Sequence, residues 1–184
     1  IEKHTWGREP WFGFWEAEHR AARENVVLMD MSFMPKFMVQ GKDSGEVLDY
    51  ICANAVDGPA GRITYTTCLN NDGQLMADLT VTKLSSDCFF VVVTDTIHRH
   101  ALAWIQRHIP ATAHAFVTDM TSAWAQVNVQ GPLSRDLLQS VTDTDLANDL
   151  FPFRHAQKIA IGYGRVLCVR ITYVGELGYE LYIP

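Results

Sequence analysis

The sequence lacks the short motifs that mark several large enzyme classes. Its 184 residues contain no G-x-S-x-G segment, no H-E-x-x-H pair, no phosphate-binding glycine loop and no dinucleotide fingerprint. A hydrolase nucleophile elbow, a zinc-protease site and a nucleotide-binding turn are therefore not supported. The seven histidines show no metal-ligand spacing, so we expect no metal. Any catalysis must then rest on binding and positioning by carboxylates and aromatic side chains.

Long apolar runs, an excess of positive charge and paired cysteines are also missing. No run is long enough to cross a bilayer, and the formal net charge of -6 argues against a general surface for nucleic acid or membrane. The cysteines are far apart and form no C-x-x-C pair, which favours buried free thiols in a reducing compartment. They are Cys52, Cys68, Cys88 and Cys168. A bacterial cytoplasm or a mitochondrial matrix fits this expectation.

The composition is typical of a globular domain. The chain is 48% hydrophobic and 20% charged, and its length suffices for one good core or two small ones. It begins at Ile1 with no signal-like segment. We interpret residues 1–184 as a piece of a longer polypeptide; a processed mature N-terminus is the alternative.

The residue pattern predicts an α+β fold. A hairpin is expected from strands at 63–69 and 75–84 joined by an N-N-D-G turn, and the apolar run at 88–94 predicts a central strand. Hairpins interleaved with single helices indicate mainly antiparallel sheets with interleaved helices. Further helices are predicted at 14–24, 43–52, 95–109 and 132–141, and further strands at 36–40, 124–130, 158–163, 165–173 and 179–183.

Two helix starts carry specific signals. Asp43 with Glu46 three residues later resembles a capping box. Gly131 followed by Pro132 predicts a helix with proline in its first turn.

Two carboxylates lie inside predicted strands. Asp78 occupies the polar face of its strand, beside threonines, and Glu180 lies among bulky neighbours in the last strand, where Glu is unusual. Each either faces solvent or faces a pocket that supplies hydrogen-bond donors. Tyr65 and Tyr173 are interpreted either as packing residues or as ligand contacts.

Three segments resemble the aminomethyltransferase (glycine-cleavage T-protein) family. From Tyr65, Y-T-T-C-L-N-N-D-G-Q-L-M-A-D-L-T-V-T resembles the family's signature hairpin. From Val127, V-N-V-Q-G-P-L-S-R-D-L-L-Q resembles its Q-G-P helix start, and Y-V-G-E-L-G-Y-E-L from Tyr173 resembles its G-Y-T-G-E-x-G-F-E-L. Their order and spacing agree across nearly the whole chain. Within the family, W-F-G-F-W-E-A-E-H-R-A-A-R-E and D-M-S-F-M-P-K-F are similar to the folate-binding region of sarcosine and dimethylglycine dehydrogenases.

The resemblance implies a T-protein-like folate-binding domain over 1–184 that uses tetrahydrofolate, with FAD in a flavin domain elsewhere in its own polypeptide. The flavin domain would oxidise a small N-methyl amine, and this region would capture the one-carbon unit as 5,10-methylenetetrahydrofolate. The family's essential aspartate falls on Asp78 and its pterin-binding glutamate on Glu180, while Tyr65 and Tyr173 fall on pocket tyrosines. The fragment alone is expected to be inactive.

Two alternatives stay open under the same resemblance. One is a noncatalytic interaction module like the pyruvate dehydrogenase phosphatase regulatory subunit, and the other is a glycine-cleavage aminomethyltransferase. Ala77 stands where T-proteins usually have Asp, and Thr94 where they often have Asn. These departures move the chain away from the glycine-cleavage enzyme and leave the folate contact at Thr94 open.

Overall fold

The computed structural model describes residues 6–184. Its strands are β1 (Val27–Asp30), β2 (Lys36–Gln40), β3 (Ile63–Leu69), β4 (Leu75–Ser85), β5 (Cys88–Val93), β6 (Phe116–Asp119), β7 (Ala125–Gln130), β8 (His155–Ile161), β9 (Gly164–Arg170) and β10 (Gly178–Ile183). Its helices are α1 (Phe12–Glu24), α2 (Ser44–Ile51), α3 (His98–His108) and α4 (Ser134–Gln139), with short 3-10 turns at Asp95–Ile97 and Thr121–Ala123. Within this part of the chain, no helix has the length and apolar character needed to cross a membrane.

The strands form two five-stranded sheets. Sheet I has the order β3-β4-β5-β2-β6, and sheet II has the order β1-β7-β10-β9-β8. Neighbouring strands pair antiparallel throughout both sheets. The predicted α+β class, the hairpin of β3 and β4 and the central place of β5 are therefore confirmed.

Three hydrophobic layers follow from the alternation of side chains along these strands. In β5, Phe89 and Val91 join the core that packs sheet I against α2 and α3, while Phe90 and Val92 point into the layer between the sheets. Both faces of β5 are covered, which explains its continuous apolar run. Tyr182 of sheet II meets Phe90 edge-on, with 4.9 Å between ring centroids. A third core covers the outer face of sheet II.

Both predicted helix starts differ in the structure. The Asp43 side chain makes no cap bond to α2; its Oδ2 instead accepts the backbone N–H of His114 at 2.7 Å. Pro132 precedes α4, which starts at Ser134 and ends at Gln139 rather than 141. Just before the helix, the N–H of Leu133 donates to the carbonyl of Asn25 at 3.1 Å.

The predicted strand at 165–173 is also shorter than expected. β9 ends at Arg170, where its pairing with β8 ends opposite His155. The chain then turns through Gly175, whose φ of +82° suits a residue without a β-carbon. This turn frees residues 171–173 to line the site described next.

Candidate functional site

A cleft of about 870 Å³ opens at one edge of the layer between the sheets. All four predicted site residues line it: Tyr65 and Asp78 from sheet I, Glu180 from sheet II, and Tyr173 from the turn after β9. The remaining lining residues are Met31, Phe33, Met34, Leu79, Thr80, Val92, Val93, Thr94, Asp95, Gln126, Phe153, Arg154, Ile171 and Thr172. The cleft is mixed in character, with apolar walls and a few polar groups, as small-molecule sites usually are.

On the sheet I wall, Asp78 is half-buried and holds a tyrosine. Alternation along β4 directs Asp78 toward the cleft, while its neighbours Ala77 and Leu79 belong to the outer core. The Tyr65 hydroxyl donates to Asp78 Oδ2 at 3.1 Å. It reaches diagonally, since Tyr65 itself is paired with Thr80. The hydrogen bond and the carboxylate charge raise the pKa of Tyr65. The Asp78 carboxylate is therefore half-buried at the cleft, with the Tyr65 hydroxyl as a hydrogen-bond donor.

On the sheet II wall, Glu180 is half-buried like Asp78, but its carboxyl group accepts two hydrogen bonds. Its Oε1 accepts the Asn128 Nδ2–H at 3.2 Å and its Oε2 accepts the Tyr182 hydroxyl at 2.6 Å. Burial raises the pKa of Glu180, and it outweighs these two bonds and the charge of Lys36, which favour the ionised form. Burial also raises the pKa of Tyr182 well above its ordinary value, so its hydroxyl stays a donor.

The residues that hold Glu180 were not found from the sequence. Asn128 lies directly opposite Glu180 in the β7–β10 pairing, and Gln126 lies opposite Tyr182. Gln126 Nε2 donates to Asn128 Oδ1 at 3.2 Å, which makes a chain of bonds ending at Glu180. Polar residues alternating along A-Q-V-N-V-Q were a signal for this face. So was the two-residue spacing of Glu180 and Tyr182.

Gln126 also carries an unsatisfied group. The residue is 1% exposed and lines the cleft. Its Oε1 is buried and has no hydrogen-bond partner among the described residues. Because an unpaired buried acceptor is costly, this oxygen marks a place where a donor from a ligand or a water would be stabilised.

Lys36 holds the loop that precedes β2, and it was also missed. It sits on β2 of sheet I and is fully buried. Its Nζ donates to the carbonyls of Ser32 at 3.0 Å and Met34 at 2.7 Å. Burial lowers the pKa of Lys36, against the opposing charges of nearby carboxylates that include Glu180. The lysine therefore fixes the 31–35 loop, which supplies part of the cleft wall.

The mouth of the cleft carries an exposed cation on a strained backbone. Arg154 lines the cleft and is the one described residue other than glycine with a positive φ, +63°. Its N–H bonds to the Arg170 carbonyl at 2.8 Å and its own carbonyl accepts from Ile63 at 2.9 Å, which fixes this conformation. Tyr173, 73% exposed, lines the same cleft. Strain of this kind often accompanies function.

The structure also gives the positions of Thr94 and Ala77, where the sequence departs from the family pattern. Thr94 lines the cleft, while Ala77 is buried in the outer core, away from it. Within residues 6–184, no group of three or more histidine, cysteine, aspartate or glutamate side chains lies where it could hold a metal ion.

Comparison with known proteins identifies the family. The model of the GCVT N-terminal domain matches residues 2–184. The chain belongs to this family. It is thus an aminomethyltransferase-like domain, and the predicted resemblance is confirmed.

Two relatives of this chain have the names of amine-oxidising enzymes. The 4-methylaminobutanoate oxidase (formaldehyde-forming) of Paenarthrobacter nicotinovorans is 36% identical over 97% of this chain and 22% of its own length. The mitochondrial sarcosine dehydrogenase of Mus musculus is 29% identical over 100% of this chain and 21% of its own. The chain therefore spans about a fifth of either relative.

A solved structure confirms the fold of this GCVT N-terminal domain. The glycine cleavage system aminomethyltransferase T from Bartonella henselae matches with a TM-score of 0.78. The match covers 91% of this chain and 44% of that one, at 23% sequence identity. At this identity the likeness establishes the fold alone.

Proposed function

We propose that this domain is the tetrahydrofolate-binding region of a flavin-dependent N-methyl amine dehydrogenase of the sarcosine or dimethylglycine type. It captures the one-carbon unit released by amine oxidation as 5,10-methylenetetrahydrofolate. The observation that carries the proposal is the cleft between the sheets, which brings together two half-buried carboxylates, Asp78 from sheet I and Glu180 from sheet II.

Glu180 has the properties of an anchor for the pterin ring. A carboxylate accepts two parallel N–H bonds, which is the pattern that the amide and amino groups of a pterin offer. Asn128 and Tyr182 hold its oxygens in place, and partial burial of the carboxyl strengthens such bonds. The unpaired Oε1 of Gln126 offers a further acceptor on the same side. The residues present therefore fit the group.

Asp78 has the properties of the carboxylate that acts during transfer. It faces the cleft from the other wall and stays open to solvent, with its position supported by Tyr65. A fixed negative charge at this place stabilises a cationic iminium as it reaches the acceptor.

Arg154 completes the proposed site at its mouth. Folate ends in a glutamate tail with carboxylates, and an exposed guanidinium at the entrance suits them. Tyr173, at the same entrance, offers an aromatic face.

The names of the relatives support the amine-oxidising context. One relative is an oxidase for 4-methylaminobutanoate and the other a sarcosine dehydrogenase, both named for N-methyl amine substrates. The FAD, the amine site and the rest of the polypeptide are assigned to regions other than this domain. The bacterial and mitochondrial relatives support a bacterial cytoplasm or a mitochondrial matrix as the compartment.

Calorimetric titration of folinic acid, a stable reduced folate, into the full-length protein tests the proposal. We expect binding by the wild type and a loss of about 10- to 100-fold in affinity for Glu180→Gln, because the amide keeps one acceptor oxygen and loses the other, and one hydrogen bond to a charged group is worth about 1.5–3 kcal/mol. Glu46→Gln is the matched control: Glu46 is exposed on α2, behind sheet I, and its variant keeps wild-type affinity.

Absence of folinic acid binding in a well-folded wild-type protein would overturn the folate assignment and favour an interaction module instead. Equal affinity in Glu180→Gln and wild type would keep a folate protein but remove Glu180 as its anchor.

A further inference from the structure

Cys52 and Cys68 form a close pair in the fold. Cys52 directly follows α2 and Cys68 lies in β3, and the two residues make an isolated antiparallel bridge. The hydrogen bond beside them runs from the Ala53 N–H to the Thr67 carbonyl at 2.8 Å. The bond joins the residue after Cys52 to the residue before Cys68. Cys52 and Cys68 are therefore a non-hydrogen-bonded pair of an antiparallel ladder. In such pairs the α-carbons are about 4.5 Å apart and the side chains point the same way.

That geometry fits a disulfide. Bridged cysteines usually have α-carbons about 4.4–6.8 Å apart, so a non-hydrogen-bonded pair falls at the short end of the range. Disulfide bonds whose geometry departs from the favoured one are more easily reduced. A disulfide here would therefore form without large backbone movement and would also be reversible.

The surroundings favour reaction between these two thiols. Both are free and belong to the same core cluster, with exposures of 8% for Cys52 and 0% for Cys68. Interaction between the two paired thiols lowers the pKa of Cys68 and raises that of Cys52. Residues 53–55, directly after Cys52, are exposed. A small oxidant thus has a short path to the pair.

We propose that Cys52 and Cys68 are an oxidisable dithiol, which hydrogen peroxide converts to a reversible disulfide that staples the end of α2 to β3. The Cys68 thiolate attacks one peroxide oxygen, the O–O bond breaks and hydroxide leaves, giving a sulfenic acid. The Cys52 sulfur then attacks that sulfur, the S–O bond breaks, and the oxygen leaves as water with the proton from Cys52. The two thiols lose two electrons and the peroxide is reduced to two waters.

The other two cysteines provide internal controls. Cys88 is the least buried of the four, and its sulfur lies 3.3 Å from the sulfur of Met38 rather than beside a cysteine. Cys168 is fully buried in the core on the outer face of sheet II. Oxidation of Cys88 therefore reports that the oxidant has reached the protein, without producing a disulfide within the chain.

Peptide mapping by mass spectrometry tests the proposal on the folded, full-length protein. After peroxide treatment and alkylation of remaining thiols, we expect a linked peptide pair containing Cys52 and Cys68, lighter by two hydrogen atoms and separated again by a thiol reductant. Cys88→Ser should give the same link and Cys52→Ser should not. The oxidised wild type should unfold at a higher urea concentration than the reduced form, because the link closes a loop in the unfolded chain.

A sample in which Cys88 is oxidised while Cys52 and Cys68 are both recovered as free thiols would overturn the proposal. A link between any other two cysteines would do the same. If Cys52→Ser does not fold, the wild-type map decides alone, since it identifies the linked residues directly. The result does not depend on whether the domain binds folate.

Discussion

The two walls of the cleft present the same functional group with different hydrogen-bond partners. On sheet I, Asp78 is half-buried beside an exposed tyrosine hydroxyl. On sheet II, Glu180 accepts bonds from Asn128 and the buried Tyr182, and burial raises its pKa. The difference arises from the neighbouring side chains, because Glu180 has two hydrogen-bond donors and Asp78 has the Tyr65 hydroxyl. Under the proposed function, this difference suits a division of work in which Glu180 anchors the ligand and Asp78 acts on the reacting atoms.

The largest expected effect separates these roles on the sheet I wall. In the full-length protein, Asp78→Asn should lower folate-dependent turnover about 100- to 1,000-fold, the usual loss when one group that stabilises a developing charge is removed. Folinic acid affinity should stay close to that of the wild type, since the anchor on the other wall is intact. Steady-state kinetics with and without tetrahydrofolate, together with calorimetry, measure both quantities.

Asp72→Asn is the control for this experiment, because Asp72 is exposed in the turn of the same hairpin. It should retain both turnover and affinity. If Asp78→Asn lost affinity but kept turnover at saturating folate, the roles of the two walls would be reversed.

The second effect concerns Lys36, the buried lysine of sheet I that donates to the carbonyls of Ser32 and Met34. Lys36→Met should lower the free energy of unfolding by about 2–4 kcal/mol, because it leaves two loop carbonyls without their donor. Urea denaturation measures this change. Lys42→Met, at an exposed position, should change it by less than about 0.5 kcal/mol.

A double-mutant cycle sharpens the comparison further. If Lys36 also stabilises the charge of Glu180 across the cleft, Glu180→Gln should offset part of the loss caused by Lys36→Met. Strict additivity of the two changes would show that the lysine serves only its own loop.

The contrast between the walls also marks what the sequence could predict. Asp78 and Glu180 stood out because carboxylates are unusual in strongly β-forming runs, and both do line the cleft. Their roles remain predictions. The hairpin was predictable because its turn and alternation are local signals.

The site residues that the sequence did not reveal depend on the register between strands that are far apart in the chain. Asn128 reaches Glu180 only because β7 pairs with β10 in one particular alignment, across a gap of about fifty residues in the chain. No local pattern specifies that alignment. The same holds for Lys36, whose loop contacts and nearness to Glu180 depend on how the two sheets pack.

A smaller effect is expected in the dependence of binding on pH. Since burial raises the pKa of Glu180, the unliganded protein keeps that proton to a higher pH than an exposed glutamate would. A ligand that donates N–H bonds needs the ionised carboxylate, so affinity should rise with pH through the raised pKa and fall below it. Calorimetry of folinic acid over a series of pH values measures this, and Glu180→Gln should remove the dependence.

Stability should show the opposite slope in the same window. Between the ordinary pKa of glutamate and the raised value, the unfolded chain has released its proton while the folded protein retains it. The free energy of unfolding therefore falls as pH rises through this range, by an amount that Glu180→Gln abolishes. Tyr182→Phe removes a bond that favours the ionised form, so it should move the midpoint of binding to higher pH. An unmoved midpoint would mean that this hydroxyl does not control the anchor.

The smallest effect is expected for Arg154, at the mouth of the cleft. Arg154 holds a φ of +63°, which costs an ordinary residue about 1–2 kcal/mol, whereas glycine adopts it freely but loses more entropy on folding. Arg154→Gly should therefore raise the free energy of unfolding by up to about 1 kcal/mol.

The same variant should weaken folinic acid binding several-fold, because it removes the cation proposed to bind the glutamate tail of folate. Arg154→Ala supplies the comparison: it loses the cation but keeps the strain, so it should weaken binding without stabilising the fold. Equal affinity in both variants and the wild type would confine the site to the two walls.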